Sequence, residues 1–428
     1  MQRLFLQLLI LTSIGTVASL ADSFVYAETA TSTINELQQK ITSKADEILK
    51  LTPLIKQLER DIDTTVSQKK TLGTEIKTLD LTKKKLETDI KVTQTKVETT
   101  DLKIRELGTE IAYREDEIFA RAGALKEAVL AIFERDEQSL AQIALSQDSF
   151  TGLWDDLEAL EEFSRGVNEN VEKIKTLKRD LEEKNLAKQT EKEKLLGLKS
   201  SLGDQKKITE LNKNQKSQLL KLTSSQEAEF QKALKRQLAL KDSLEKELRD
   251  YESSLKYILD PKSIPPRGKK VFSPPMDNLR ITQNFGKTSS SGRLYASGTH
   301  SGTDFSASPG TPVKAMLSGT VIGAGDTDVA CPGGSYGRWV LIKHDNGLAS
   351  IYAHFSLIKV FEGQVVNTGD LIGYSGNTGY STGPHLHLGV FVADAVRVEN
   401  LPSKSCGGRV YRMPVAATNA YLDPMDYL

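Results

Sequence analysis

The sequence predicts a chain of two unlike parts, a long all-α antiparallel coiled-coil hairpin followed by a compact β-rich domain. Three observations carry this. Of 114 charged residues, 92 lie in the first 270 positions, together with only 9 of the 30 glycines. The last 158 residues hold 22 charges and 21 glycines. All five histidines fall after Lys270. A charged, Gly-poor stretch of that length reads as extended helix, and a Gly-rich, weakly charged one as a compact β-rich fold. At 428 residues the chain has room for two or three domains. Lys plus Arg and Asp plus Glu are 57 each, which argues against a nucleic-acid partner. A charged fraction of 27% excludes a polytopic membrane protein.

Residues 1–27 read as a secretory signal peptide. Arg3 precedes an apolar run from Leu4 to Val17. Small residues follow at peptidase spacing, so cleavage falls after Ala21 or Ala27. The alternative is a retained N-terminal anchor, for which the run is short and broken by Thr12, Ser13 and Thr16. Either way the expectation is export, to the periplasm, cell wall or exterior. Cys331 and Cys406 fit export most simply as one disulfide, with free thiols or metal ligation as the alternatives.

Residues 30–259 read as the helical hairpin. Positions 34, 41, 48, 55, 62, 76, 90, 104, 111 and 118 are all Ile, one heptad apart or a multiple of it; Lys69 and Lys83 interrupt the series. Leu37, Leu51, Leu58, Leu72, Leu79, Leu86 and Leu107 fill companion positions. Ile at a and Leu at d give a left-handed coiled coil. Eighty-five such residues span roughly 125 Å at 1.5 Å each. Pro53 lies off the seam, where a kink is expected. Residues 119–163 break the pattern with apolar and turn-forming stretches, so they read as the tip. A second helical stretch follows, with seams at Ile174, Leu177 and Leu181, then Leu244, Leu248, Tyr251 and Leu255. The rival is a parallel homodimer, which the apolar tip disfavours. Phe150, Trp154, Leu157 and Phe163 at the tip are either partner anchors or the packing of the bend. The region holds neither His nor Cys, which suits a spacer or regulator.

Residues 260–276 form a linker whose five prolines stop the helix. In the domain at 277–428, His385 and His387 stand at i and i+2 on an alternating, β-prone segment and so share a strand face. Two adjacent imidazoles suit a site where one is a neutral metal ligand. His300 and Asp304, four apart around Gly302, can converge on the same ion. Two His and a carboxylate suit catalytic zinc, with a fourth position left for water. Each motif is weak alone, and a lone His is usually structural. The combination of HxxxD, a downstream YAH containing His354, and GPHLH within about 90 residues is far more specific.

From about Asn278 onward the chain resembles a LytM/lysostaphin-type zinc metallopeptidase domain, a peptidoglycan endopeptidase family. ITQNFG, HSGTDFSA, YGRWVLIKHDNGLASIYAHFS, VNTGDLIGYSGNTGYSTGPHLHLGV and the closing YLDPMDYL carry the resemblance. It implies a mostly antiparallel β fold with a groove over the metal. It further implies zinc ligands His300, Asp304 and His387, catalytic His354 and His385, and a structural His344. The wider arrangement also resembles EnvC-type murein hydrolase activators, some of which have lost the ligands and activate a separate peptidoglycan amidase. This chain keeps all five site residues. The resemblance therefore implies an exported enzyme hydrolysing peptide cross-links, recruited or regulated by its coiled coil in wall remodelling or division. A membrane-bound division complex at the hairpin tip is the partner it implies. The rivals are a non-catalytic activator and a structural tether.

Overall fold

The computed structural model describes the backbone of all residues except 1, 67–70, 136–149, 222–226, 256–261 and 288–298. Side chains are described for the same residues outside 1–29, 131–157, 159–160, 221–227, 241 and 245. The helices are α1 (Gln2–Val66), α2 (Leu72–Arg135), α3 (Phe150–Lys221) and α4 (Glu227–Ser254). Among the described residues no helix is long and apolar enough to cross a membrane. The backbone divides into two compact units, residues 1–51 with 92–201, and residues 52–91 with 202–428.

In the first unit the helices run antiparallel. Lys44 pairs with Glu98 at 2.6 Å and Gln38 with Glu106 at 2.8 Å, setting α1 against α2. Arg114 pairs with Asp180 at 2.9 Å and Lys184 with Glu110 at 2.6 Å, setting α2 against α3. Leu37, Ile111 and Leu177 bury the seam. The exposed ion pairs add little stability; what they mark is register.

The apolar tip predicted antiparallel packing, and in this unit segments of three helices, α1, α2 and α3, pack antiparallel where two arms were expected. The Ile series from 34 to 118 is divided between α1 and α2, and the interruption at Lys69 falls between them. Thr71 caps α2: Thr74 N–H donates to Thr71 Oγ1 at 3.1 Å, and Thr71 N–H to Thr74 Oγ1 at 2.8 Å. This reciprocal cap starts a new helix. A heptad seam codes for burial and leaves its partner unspecified, so a seam that folds back on itself reads like one that continues. Pro53 lies within α1 on its exposed side, and the helix continues through it. The side chains of Phe150, Trp154 and Leu157 lie outside the described residues. Phe163 is half-buried.

The second unit joins the remaining helical segments to the β domain. Leu86 and Ile208 pack on Tyr374, with Leu357 and Leu371 against them. The Asp204 carboxylate pairs with Lys359 at 2.9 Å and accepts from the Tyr374 hydroxyl at 3.3 Å. Leu240, Leu244, Leu248 and Tyr251 of α4 pack into the domain core. Their i, i+4 stripe reads as a coiled-coil seam in sequence, and here a β domain covers it.

The domain strands are β1 (Ile281–Gln283), β2 (Thr303–Ser306), β3 (Pro312–Lys314), β4 (Gly319–Asp326), β5 (Arg338–Lys343), β6 (Leu348–Ala353), β7 (Phe355–Ile358), β8 (Val365–Val366), β9 (Leu371–Ser375), β10 (His385–Val392), β11 (Val396–Pro402), β12 (Val410–Ala416) and β13 (Tyr421–Leu422). The main sheet has the order β1-β2-β10-β6-β5-β4-β8, with β13 also paired to β10. All its pairings are antiparallel. Cys331 and Cys406 form a disulfide, with Cα atoms 5.9 Å apart. It links the segment after the short 3-10 turn Thr327–Val329 to the β11–β12 turn. Glu247 of α4 accepts from Ser405 N–H at 2.8 Å and from Ser403 Oγ at 2.9 Å, both in that turn.

Candidate active site

The site is built on one strand pair. On β10 side chains alternate: Leu386 and Leu388 point into the core with Phe305 of β2, all three fully buried. His385 and His387 therefore take the opposite face. Asp304 on β2 is the cross-strand partner of His387. His300 precedes β2 and is fixed by a bridge to Gly286, with both backbone bonds 2.9 Å long. Gly302 between them is required sterically. A Cβ there would lie 2.3 Å from the Leu388 carbonyl oxygen and 2.8 Å from the His387 ring.

Three ligand atoms converge. His387 Nδ1 lies 2.9 Å from Asp304 Oδ1, His300 Nε2 lies 3.1 Å from His387 Nδ1, and His300 Nε2 lies 3.3 Å from Asp304 Oδ1. His300 Nδ1 faces the Asn284 carbonyl oxygen at 3.0 Å. A carbonyl only accepts, so Nδ1 carries a proton and Nε2 is the ring nitrogen that faces the other two donors. Two nitrogen donors and a carboxylate oxygen in a buried corner repel one another unless a cation or proton lies among them. The donor set therefore fits a divalent metal ion. Burial alone would raise the Asp304 pKa, but the neighbouring imidazoles of His385, His300 and His387 outweigh it, holding the carboxyl well below its usual range. Burial lowers the His387 pKa, opposed by its bond to Asp304, and so favours the neutral ring a ligand needs.

Two further imidazoles stand beside this cluster. The His385 ring centroid is 4.6 Å from that of His354, which in turn is 5.9 Å from that of His387. His354 Nδ1–H donates to the Thr378 carbonyl at 2.7 Å, and His385 Nδ1–H to the Gly383 carbonyl at 2.7 Å. Each bond fixes a tautomer whose Nε2 keeps its lone pair. Burial, then the neighbouring His385 and His387 imidazoles, push the His354 pKa well below 6.5. His354 also sits at φ +65°, between β6 and β7. A non-glycine residue in that region stores strain on the order of 1–3 kcal/mol. Its N–H donates to the Tyr336 carbonyl at 3.0 Å.

These residues line a cleft of about 440 Å³. Sequence reasoning missed two parts of its wall. Tyr336, Tyr411 and Tyr421 contribute aromatic rings, Tyr336 with its centroid 5.8 Å from that of His387. Leu244, Leu248, Arg249 and Glu252 of α4 form another side. The apolar stripe of α4 was the only signal of that role. His344 lies outside the cluster, buried, its Nδ1–H donating to Ser318 O at 3.0 Å and its Nε2 at 2.8 Å from Ser350 Oγ.

A buried His–Asp–His donor set with two more imidazoles at a cleft defines a metallopeptidase-like domain. Comparison with known proteins agrees. The profile of Peptidase family M23 matches residues 298–398. An uncharacterized metalloprotease of Haemophilus influenzae is 48% identical over 88 residues, 21% of this chain and 18% of that protein. DD-carboxypeptidase/endopeptidase Mpg of Neisseria meningitidis is 44% identical over 88 residues, 21% of this chain and 19% of Mpg. Peptidoglycan DD-endopeptidase ShyA of Vibrio cholerae is 43% identical over 93 residues, 22% of this chain and 20% of ShyA. Among solved structures, the catalytic domain of lysostaphin from Staphylococcus simulans is 30% identical, with 35% of this chain and 91% of that domain covered, at TM-score 0.25. Residues 298–398 thus carry a Peptidase M23 domain of the LytM/lysostaphin type. The match spans about a fifth of the length of these three curated relatives.

Proposed function

We propose that the protein is an exported zinc metalloendopeptidase that hydrolyses peptide cross-links of bacterial peptidoglycan. The convergence of His300 Nε2, Asp304 Oδ1 and His387 Nδ1 carries the reading, since that buried donor set can hold a divalent cation. His300, Asp304 and His387 would hold zinc, which would supply Lewis acidity toward a scissile carbonyl and ease deprotonation of water. His354 and His385 are the proton-handling groups. Their Nδ1–H bonds to backbone carbonyls orient the two rings, whose Nε2 atoms would accept a proton from the attacking water and return it to the leaving amine. Burial favours the neutral form of His354. The tyrosine-lined wall orients the peptide.

Residues 1–27 serve export, residues 30–259 are the helical module, and residues 260–276 link it to the peptidase domain at 277–428. The helical module regulates the peptidase, because α4 supplies one wall of its cleft. The tip residues Phe150, Trp154, Leu157 and Phe163 would engage a membrane-bound division complex. The rival is a non-catalytic amidase activator. Its degenerate forms dispense with metal ligands, whereas a His–Asp–His donor set is present here.

The test is the metal content of the purified chain together with mass analysis of fragments released from defined peptidoglycan. Zinc near one per chain and release of cross-link peptides are expected. A zinc-loaded chain that releases no peptide but switches on a separate amidase overturns the reading in favour of the activator.

A further inference from the structure

Asp328 lies outside the donor set, in the 3-10 turn after β4, yet it grips the loop that holds His354. Its Oδ2 accepts from Gly379 N–H at 2.8 Å and its Oδ1 from Gly333 N–H at 2.7 Å. Gly379 N–H belongs to the same peptide group as the Thr378 carbonyl, and that carbonyl accepts from His354 Nδ1–H at 2.7 Å. One peptide plane thus has the Asp328 carboxylate on its donor side and the His354 imidazole on its acceptor side. The surroundings hold the plane in place. Thr378 Oγ1 donates to the Phe355 carbonyl at 2.9 Å and accepts from Arg338 N–H at 3.0 Å. Gly337 and Gly379 allow the two loops to touch backbone to backbone: a Cβ on Gly379 would lie 2.1 Å from Gly337 N. Asp328 N–H is itself held by Asp326 Oδ1 at 3.0 Å, and Asp326 pairs with Arg338.

We infer that Asp328 is a positioning residue for His354, acting through the Thr378–Gly379 peptide. A carboxylate hydrogen-bonded to the N–H of a peptide draws charge toward its carbonyl oxygen and strengthens the bond that oxygen accepts. The Nδ1–H tautomer of His354 is thereby locked, with the Nε2 lone pair left for the cleft. The arrangement gives His354 a carboxylate partner at one remove, where a direct contact would bring a second buried charge beside Asp304. It also helps hold His354 in its left-handed backbone conformation, because the same peptide anchors the ring. The inference rests on the reading of His354 as a proton-handling group, and its test separates the two.

The full chain, free of metal and labelled with ¹⁵N in histidine, reports the His354 tautomer by long-range ¹H–¹⁵N spectroscopy. Wild type should show the Nδ1–H form, and Asp328→Asn a mixture, because an amide cannot accept both N–H groups. An Nε2–H form in wild type, or an unchanged spectrum in Asp328→Asn, overturns the inference. Asp326→Asn loosens the same turn without touching the peptide and should keep the wild-type tautomer; the same mixture there would mean general loosening and also overturns it. If Asp328→Asn fails to fold, amide exchange at Gly379 in wild type decides. Protection supports the bond, and exchange at the rate of an open amide overturns it. In the metal-loaded chain, Asp328→Asn should lower kcat for peptide release roughly 10- to 100-fold with KM and bound metal unchanged. An unaltered kcat overturns the inference. A wild-type chain that releases nothing defeats the endopeptidase reading instead, and the tautomer still reports on Asp328.

Discussion

Glu252, two residues before the end of α4, accepts a hydrogen bond from the hydroxyl of Tyr421 on β13, and the two lie at one margin of the metal cleft. Ala416 N–H donates to the same carboxylate oxygen at 3.4 Å. Burial pushes the Glu252 pKa up to about 7, against the bonds from Tyr421 and Ala416. The docked helix therefore prefers the protonated carboxyl. Released into water, the same group titrates near 4.5. The contact is fully stabilised below about pH 4.5 and loses free energy as pH rises to about 7, on the order of 3 kcal/mol in total. Amide exchange along α4 should accelerate across that window in wild type and far less in Glu252→Gln. Identical pH profiles for the two chains would remove Glu252 as the cause.

Metal and rate should separate by residue. His387→Ala and Asp304→Ala each remove one of three donors and should lose bound zinc and all cleavage. His354→Ala and His385→Ala should keep zinc while the rate falls by about 10²–10⁴, the usual contribution of a positioned acid or base. Metal analysis beside a peptidoglycan digestion assay checks both halves. Equal loss of zinc from all four variants would erase the division of roles.

Gly302→Ala should damage the site without altering a donor. The added methyl meets the Leu388 carbonyl and the His387 ring, so β2 and β10 must part or the ring must turn. Zinc titration of the variant should show weakened affinity, with a fall in Tm that zinc no longer reverses. Wild-type affinity would show that the strand pair yields easily.

The disulfide should matter to α4 as well as to the domain. Its loop spans 75 residues, and closing one of that size contributes roughly 4 kcal/mol in the chain-entropy model. The turn it secures carries Ser403 and Ser405, which bond to Glu247 of α4. Replacing both cysteines by Ala should lower Tm and raise protease sensitivity within 227–254. A lower Tm with α4 still fully protected would confine the disulfide's role to the domain.

The parts legible in sequence were those set by local periodicity. Alternation put His385 and His387 on one face, and the HxxxD spacing around Gly302 brought His300 and Asp304 to the same corner. Heptads marked the helices, and the apolar interruption at 119–163 favoured antiparallel pairing. What sequence left open depends on partners distant along the chain. The Leu244, Leu248 and Tyr251 stripe says only that something apolar covers it, and a β domain does so as well as a helix would. The division between α1 and α2 hid for the same reason. Asp328 gave no signal because its effect passes through a backbone peptide, which no side-chain motif encodes.

Asp304 and His387 are opposed in the β2–β10 ladder, so their meeting is a property of strand registration as much as of residue identity. A one-residue slip between those strands would send one of the pair to the far side of the sheet with every donor still present in the chain. Insertion or deletion of a single amino acid that shifted this register would thus break up the donor set as thoroughly as deleting one of its members. An inventory of motifs would overlook the loss.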